Sequence, residues 1–369
     1  MTLDTGSLTA LARTWAEDIE HQRRLTPGIA DAITTAGFAR HFVPKQWNGS
    51  AGSFAEAAEA AAVLGETCTS GAWCAALYAA HGRLAAYLPY EGQRELWAES
   101  PDIRIAAAIV PPSGETEVVA DGWMLTGTWN LASGVDHAHW ILLAAWVGEG
   151  AARACRIFAV PRARFEVADT WHSLGLRGTG SNTVRVERTF VPAHRTFTLG
   201  DLAHTEPGRE RCHSVPYLLV AGAQFVAPAL GAARQALRDW TELTRARVLT
   251  DGRPAHATPG AQEVLARASG EVHAAGLLVR HALGRADLAD ITEQAVAENV
   301  RDFSLAAEMS ATAVDRLMRA AGSRAQAVDS PLQRRWRDVV AATGHAALGF
   351  EAASALYSRT GLGPPRASG

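Results

Sequence analysis

The hydrophobic period of the chain changes twice, and no single motif limits the fold as much as that change does. From residue 6 to about 100, apolar residues recur at helical spacing in Ala-rich sequence. There Ser53-Phe54-Ala55-Glu56 has the form of a capping box and predicts a helix running toward Leu64. Between about 104 and 192 the texture becomes one of short apolar runs: Ile105 to Val110, Glu117 to Ala120, Trp123 to Thr126, Trp140 to Trp146, Arg156 to Val160 and Thr183 to Val191. These predict strands, with Asp121-Gly122 turning a hairpin between two of them. From about 216 the helical period returns, and Asp251-Gly252-Arg253-Pro254 separates two long helical runs. Ser330-Pro331-Leu332-Gln333 opens the last helix with an N-cap, a proline at N1 and a capping Gln at N3. The expected fold is therefore α+β in the order helix, sheet, helix, divided at 1–103, 104–200 and 201–369.

Of 369 residues, 48% are hydrophobic and 20% charged, enough to bury a large core shared among sub-domains. Net charge is −3 with no long Lys/Arg cluster, which argues against a nucleic-acid or membrane-surface partner. The first residues lack the basic and apolar regions of a signal peptide, and no later stretch reaches roughly 18 uninterrupted apolar residues, so a cytoplasmic protein is expected. Cys68, Cys74, Cys155 and Cys212 show neither C-x-x-C spacing nor paired histidines. They are expected to be small buried hydrophobes rather than metal ligands or a disulfide framework. The Gly/Pro-rich end, Gly361 to Gly369, is expected to fray.

Four stretches carry residues suited to chemistry. Leu131 to His137 follows a predicted strand. Its small residues would let backbone amides approach a planar ring while Ser133 offers a hydroxyl, although a plain turn with a solvated serine fits equally. Gly175 to Ser181 places three glycines with Thr179 and Ser181 around Arg177. That composition suits a loop wrapping a ring edge or phosphate, or a surface loop, and it is not a Rossmann turn, which would follow a strand and open a helix. Trp73, Leu77 and His81 fall at i, i+4 and i+8 on one helix face, with Leu84 and Leu88 close by, where a histidine is more often a satisfied core residue than a catalyst. On the last helix Trp336, Val340, Thr343, Ala347 and Phe350 form an apolar stripe, and periodicity puts His345 almost opposite, toward solvent beside Asp338, Ala341 and Ala342.

In this order the pieces resemble the acyl-CoA dehydrogenase superfamily, and within it the flavin-dependent monooxygenase branch, over nearly the whole chain. The resemblance is carried by Ala36-Gly37-Phe38 with Val43-Pro44, by Leu125 to Trp129 and Leu131 to His137, and by Trp171 to Ser181 with Phe190-Val191-Pro192. Trp336-Arg337-Asp338 completes it. It implies an acyl-CoA-dehydrogenase-like fold: an N-terminal helical domain, a central β-barrel-like domain and a C-terminal four-helix bundle, assembled as a homotetramer with flavin sites between protomers. It implies reduced FMN or FAD held by Ser133, Trp129, Arg177, Thr179 and Ser181, with Arg247 reaching a flavin phosphate, although Leu249-Thr250 replace the aromatic-Gly pattern usual beside that arginine. Catalytic roles are implied for His345, which supports the flavin peroxide, for Ser133 near it, and for His81, which binds a phenol or similar hydroxyl.

The activity implied is hydroxylation of a small aromatic molecule by dioxygen through a C4a-hydroperoxyflavin. No nicotinamide fingerprint is present, which fits reduced flavin arriving from a separate reductase. Other readings are a dehydrogenase oxidising a C–C bond, an N-oxygenase of an amino sugar, and a flavin-binding protein without turnover. The first needs a carboxylate base, and after Asp338 only Glu351 is available. High Ala and Arg content suggests a high-GC source and a biosynthetic or catabolic gene cluster.

Overall fold

Several helices begin where the sequence supplies a side chain to hold their first amides. The computed structural model describes residues 3–150, 153–203 and 208–362. α1 (Thr5–Gln22) starts at Asp4, whose carboxylate accepts from Gly6 N, and α2 (Pro27–Thr35) starts at Thr26 with proline at its first position. α3 (Phe54–Gly65) starts at Ser53, which accepts from Glu56 N at 3.2 Å. The expected capping box is only half formed: the Glu56 carboxylate takes Leu3 N instead, and Asp287 accepts from the amides of Phe54 and Ala55. α4 (Thr69–Ala85) is buried at every position, so its periodicity marks no face, and α5 (Tyr90–Trp97) completes the helical part.

Strands follow in the order β1 (Ile105–Ala108), β2 (Glu115–Val119), β3 (Gly122–Ala132), β4 (Trp140–Val147), β5 (Ala154–Pro161), β6 (Glu166–Ala168), β7 (Asn182–Pro192) and β8 (Thr196–Thr198). They form two four-stranded sheets, β1-β4-β5-β8 and β2-β3-β7-β6. Among the described residues only the β1–β4 ladder is parallel. The Asp121-Gly122 hairpin is present between β2 and β3, with Asp121 at φ 63°. β6 and β8, three residues each, escape a pattern-based reading because three residues show no alternation. β4 explains the uninterrupted apolar run in its centre. Leu142 and Ala144 face one core with Leu84, Leu88 and Trp97, whereas Ile141, Leu143 and Ala145 face another with Leu125, Trp129 and Val184 of the opposite sheet. The β-barrel-like element is thus two sheets packed face to face.

α6 (Ala223–Ala246), α7 (Pro259–Leu288), α8 (Glu293–Ala321) and α9 (Pro331–Thr343) form the C-terminal bundle, followed by α10 (Phe350–Gly361). Residues Tyr217–Ala246 are long and apolar enough to cross a membrane by composition, yet 72% of that window is buried inside the fold, as in a core helix. All four cysteines are buried. The expected last helix needs two corrections. Ser330 precedes Pro331 but makes no side-chain cap, and Gln333 turns to Val328 O and Arg337. The helix also stops at Thr343, so helical phase does not extend to His345 or Phe350. The face that packs is Leu332, Val339 and Ala342 with Asp338, while Val340 and Phe350 are exposed. The frayed end expected from Gly361 onward lies outside the described residues beyond 362.

Candidate functional site

The end of β3 is pulled out of regular strand geometry. A bulge between Trp129 and Ala132 leaves Leu131 at φ 65°, a left-handed backbone on an apolar residue that is 60% exposed. Ser133 N bonds back to Leu131 O, and Gly134 N to Thr179 O. Gly134 is at φ 70° against the Tyr78 ring, so a Cβ there would sit 2.7 Å from the Tyr78 hydroxyl, which itself donates to Gly134 O. The Ser133 and Gly134 amides are therefore satisfied within the protein. What the turn presents is the Ser133 side chain.

That side chain belongs to a chain of hydrogen bonds whose direction is set by its ends. Trp73 Nε1, a donor only, lies 3.1 Å from Ser133 Oγ. Ser133 Oγ is 2.7 Å from Ser181 Oγ, and Ser181 Oγ is 2.7 Å from Thr179 Oγ1. Thr179 then donates to Leu176 O at 2.8 Å. A carbonyl accepts only, so Thr179 donates to it, Ser181 to Thr179, and Ser133 to Ser181. Ser133 therefore receives one proton, spends its own, and has a single lone pair to offer a further donor.

Trp73 connects this chain to His345. Phe225, near the start of α6, lies 5.2 Å from the Trp73 ring and stacks on His345 at 3.8 Å with 20° between planes. His345 is thus half-buried against aromatic rings, not solvent-directed as periodicity suggested, and burial lowers its pKa to about 4. Its Nδ1 accepts from Ala347 N at 3.2 Å, which puts the proton of the neutral ring on Nε2. His81 has the opposite tautomer: Nδ1 donates to Ile105 O at 2.8 Å, leaving Nε2 as an acceptor. Complete burial lowers its pKa to about 4. His81 lies eight residues beyond Trp73 on α4, about 12 Å along the helix.

The loop from Trp171 to Ser181 is a clamp rather than an open anion nest. A Cβ on Gly175 would meet Arg337 O at 2.0 Å, and one on Gly178 would meet Ile19 Cγ2 at 2.1 Å, so these glycines serve close packing on α9 and α1. Leu176 N donates to Asp338 Oδ1 at 2.7 Å. Asp338 is buried and its pKa is raised to about 6 by desolvation, with the Leu176 amide opposing that rise. Arg337 donates to Leu174 O and to Glu20. The Trp336-Arg337-Asp338 word is what holds the loop, a role that spacing alone does not reveal. Arg177 stands at the rim, its Nε buried without a hydrogen-bond partner and 3.9 Å from Glu20.

Two expected residues lie elsewhere. Trp129 is buried between the sheets, its indole N–H donating to Ala144 O, because its position in the pleat points it into the core. Arg247 is exposed at the C-terminal end of α6, about 33 Å along the helix from Phe225. Glu351 is exposed on α10. The structure thus brings together Ser133, Thr179, Ser181 and His345, and adds Trp73 and Phe225 as the rings between them. Phe225 carries no local signal, since it is one apolar residue among many on α6.

The comparisons bear on family and fold. Residues 223–350 match the family described as acyl-CoA dehydrogenase, C-terminal domain. The chain is 31% identical to the flavin-dependent monooxygenase oxygenase subunit HsaA of Rhodococcus jostii, over 97% of this chain and 97% of that protein. It is also 31% identical to the FADH2-dependent resorcinol hydroxylase oxygenase component of a Rhizobium species, over 96% and 91%. The crystal structure of XiaF from a Streptomyces species, in complex with FADH2 and glycerol, superposes with a TM-score of 0.91 at 25% identity, covering 98% of this chain and 95% of that one.

Proposed function

The chain belongs to the flavin-dependent monooxygenases of acyl-CoA-dehydrogenase-like fold, and from that premise we propose which of its residues hold reduced flavin and substrate. It is the oxygenase component of a two-component system, taking reduced flavin from a separate reductase and oxygenating a small molecule. The proposed substrate is aromatic, as the name of the resorcinol hydroxylase suggests by similarity.

The observation that carries the site is the directed chain ending at Ser133. A reduced flavin bears a proton on N5 and an oxidised one does not, so the remaining Ser133 lone pair suits the reduced form. Two further features fit a flavin here: Leu131, apolar and exposed in strained backbone beside Ser133, and Arg177, whose Nε is ion-paired with Glu20 but makes no hydrogen bond. Bound reduced flavin supplies two electrons and, with dioxygen, the oxygen atom transferred. Ser133, backed by Ser181 and Thr179, accepts at N5. His345 presents Nε2–H as a neutral donor, held by Phe225 and the Ala347 amide. His81, locked by Ile105 O and kept neutral by burial, offers Nε2 as the acceptor that orients a substrate hydroxyl. Trp73 and Phe225 exclude water between them.

Supply across a protomer boundary accounts for Arg247, which is too far along α6 to serve its own chain's Ser133 site; a homotetramer provides the partner. The division 1–103, 104–200 and 201–369 is supported by the strands, which among the described residues run from Ile105 through Thr198. A cytoplasmic setting suits four free cysteines and a reductase partner. The test is anaerobic titration with reduced and oxidised flavin, followed by oxygenation of phenols under labelled dioxygen. Tighter binding of reduced flavin and label in the product are expected; equal affinity for both flavin states would falsify the assignment of Ser133.

A further inference from the structure

The carboxylate of Asp338 touches both of the segments between which the hydrogen-bond chain through Ser133 is strung. It is buried on α9, and desolvation raises its pKa to about 6, so at about pH 8 it is ionised and can only accept. It accepts from Leu176 N at 2.7 Å and from the Thr69 hydroxyl. Glu20 on α1, the Cys68 thiol ahead of α4, and Arg334, Arg335 and Arg337 on α9 are the titratable and charged groups around it. Arg337, its neighbour in sequence, spends its guanidinium on Leu174 O, Gln333 and Glu20, which leaves the Asp338 oxygens to the amide and the hydroxyl.

Thr69 is the first residue of α4, and one turn further along Trp73 donates its indole N–H to Ser133. Leu176 is the opposite end of the chain. Its carbonyl takes Thr179 Oγ1 at 2.8 Å, and also Trp171 Nε1 at 2.9 Å and Thr179 N at 3.1 Å. Leu176 is buried in left-handed backbone, φ 52° and ψ 33°, which a residue with a Cβ adopts only when its surroundings hold it there. Without Asp338 its N–H would be buried and unpaired, and the carbonyl that ends the chain would be free to turn. Thr179 could then donate back to Ser181, and Ser181 to Ser133, leaving the Ser133 proton to face outward.

We infer that Asp338 is a positioning residue for the flavin site: by tying the start of α4 to Leu176 it keeps every proton of the chain pointing from Trp73 toward Leu176 O, and so sustains the preference for reduced flavin. The preference rests on the reading of Ser133 as the acceptor at flavin N5; the tie itself does not.

The experiment is anaerobic fluorescence titration of the wild type, Asp338→Ala, Asp338→Asn and Ser181→Ala with FMN and FAD in each redox state at about pH 8. The ratio of dissociation constants, oxidised over reduced, should fall about tenfold in Asp338→Ala, one hydrogen bond gained by the oxidised form. In Asp338→Asn it should return to within about twofold of the wild type, since the amide oxygen accepts from Leu176 N and the amide nitrogen donates to the Thr69 hydroxyl. A purely structural loss would weaken both flavin states alike. An Asp338→Ala ratio equal to the wild type while Ser181→Ala shifts it, or no recovery in Asp338→Asn, overturns the inference. Should Asp338→Ala not fold, Thr69→Val cuts only the tie to α4 and should lower the ratio about threefold.

Urea midpoints of Asp338→Ala, Ser181→Ala and the double variant read the tie with no flavin present. The two shifts should sum to more than the double variant shows, because both loosen one chain; strict additivity overturns the tie. Equal wild-type affinity for both flavin states with sub-additive midpoints would sink the Ser133 reading and leave the tie. A wild-type preference that Ser181→Ala reduces, with additive midpoints, would do the reverse.

Discussion

Replacing Ser181 by Ala tests the hydrogen-bond direction on which the flavin assignment depends. The hydroxyl removed makes two contacts of 2.7 Å, one from Ser133 and one to Thr179, and both are buried. At ~1 kcal/mol net for each, folding stability should fall by about 2 kcal/mol, read as a shift in the urea midpoint at unchanged slope. The second consequence is chemical. In the wild type the Ser133 proton is spent on Ser181, so an oxidised flavin, whose N5 accepts, faces a lone pair; without Ser181 the proton is free to turn toward it. The ratio of dissociation constants for oxidised and reduced flavin should therefore shrink about tenfold, corresponding to one hydrogen bond gained by the oxidised form. Anaerobic fluorescence titration with each flavin state measures that ratio. A Ser181→Ala protein that loses stability as expected but keeps the wild-type ratio refutes the directional argument. No loss of stability at all would refute the relay itself.

Other outcomes follow from the same geometry. His345→Ala should lower the yield of product per dioxygen consumed and raise hydrogen peroxide release; unchanged coupling removes His345 from the chemistry. His81 is neutral in the fold, with a pKa near 4 against about 6.5 unfolded, so the unfolded chain binds the extra proton in between. Its contribution is complete above about pH 6.5 and is lost as pH falls toward 4, up to ~3 kcal/mol, so His81→Phe should flatten the pH dependence of the urea midpoint there. An identical slope in both proteins contradicts this. Gly175→Ala forces a methyl against the Arg337 carbonyl and should cost ~3 kcal/mol or more, seen as a lower melting temperature. A fall of less than a degree or two would show that α9 yields freely.

The order of elements was legible because period two and period 3.6 differ plainly over long runs, as at Trp140 to Trp146 and along the future α6 to α8. His345 was misplaced for a definable reason: helical phase was carried past Thr343, where the helix ends, so a residue packed on Phe225 looked solvent-facing. Trp129 was drawn into the site by its neighbours in the motif, although alternation along β3 sends it inward to Ala144. The glycines of the 175–181 loop were read as openings for a ligand. Gly175 and Gly178 pack against Arg337 and Ile19, partners more than a hundred residues away that no local pattern could indicate, whereas Gly180 sits at φ 53° beside Asp136.

The clamped loop also bears on how such chains can be recombined. Glu20 and Arg337, 317 positions apart, meet at 2.8 Å, with Leu174 O on the same guanidinium and Leu176 N on the adjacent Asp338. A chimera that took its first helix from one relative, its sheets from another and its bundle from a third would have to inherit Glu20, the loop and the Arg337-Asp338 pair from a compatible source. Crossovers that respect every domain boundary would still break this unit, so the natural modules of the chain are defined by who shares that loop, and less by where the strands begin and end.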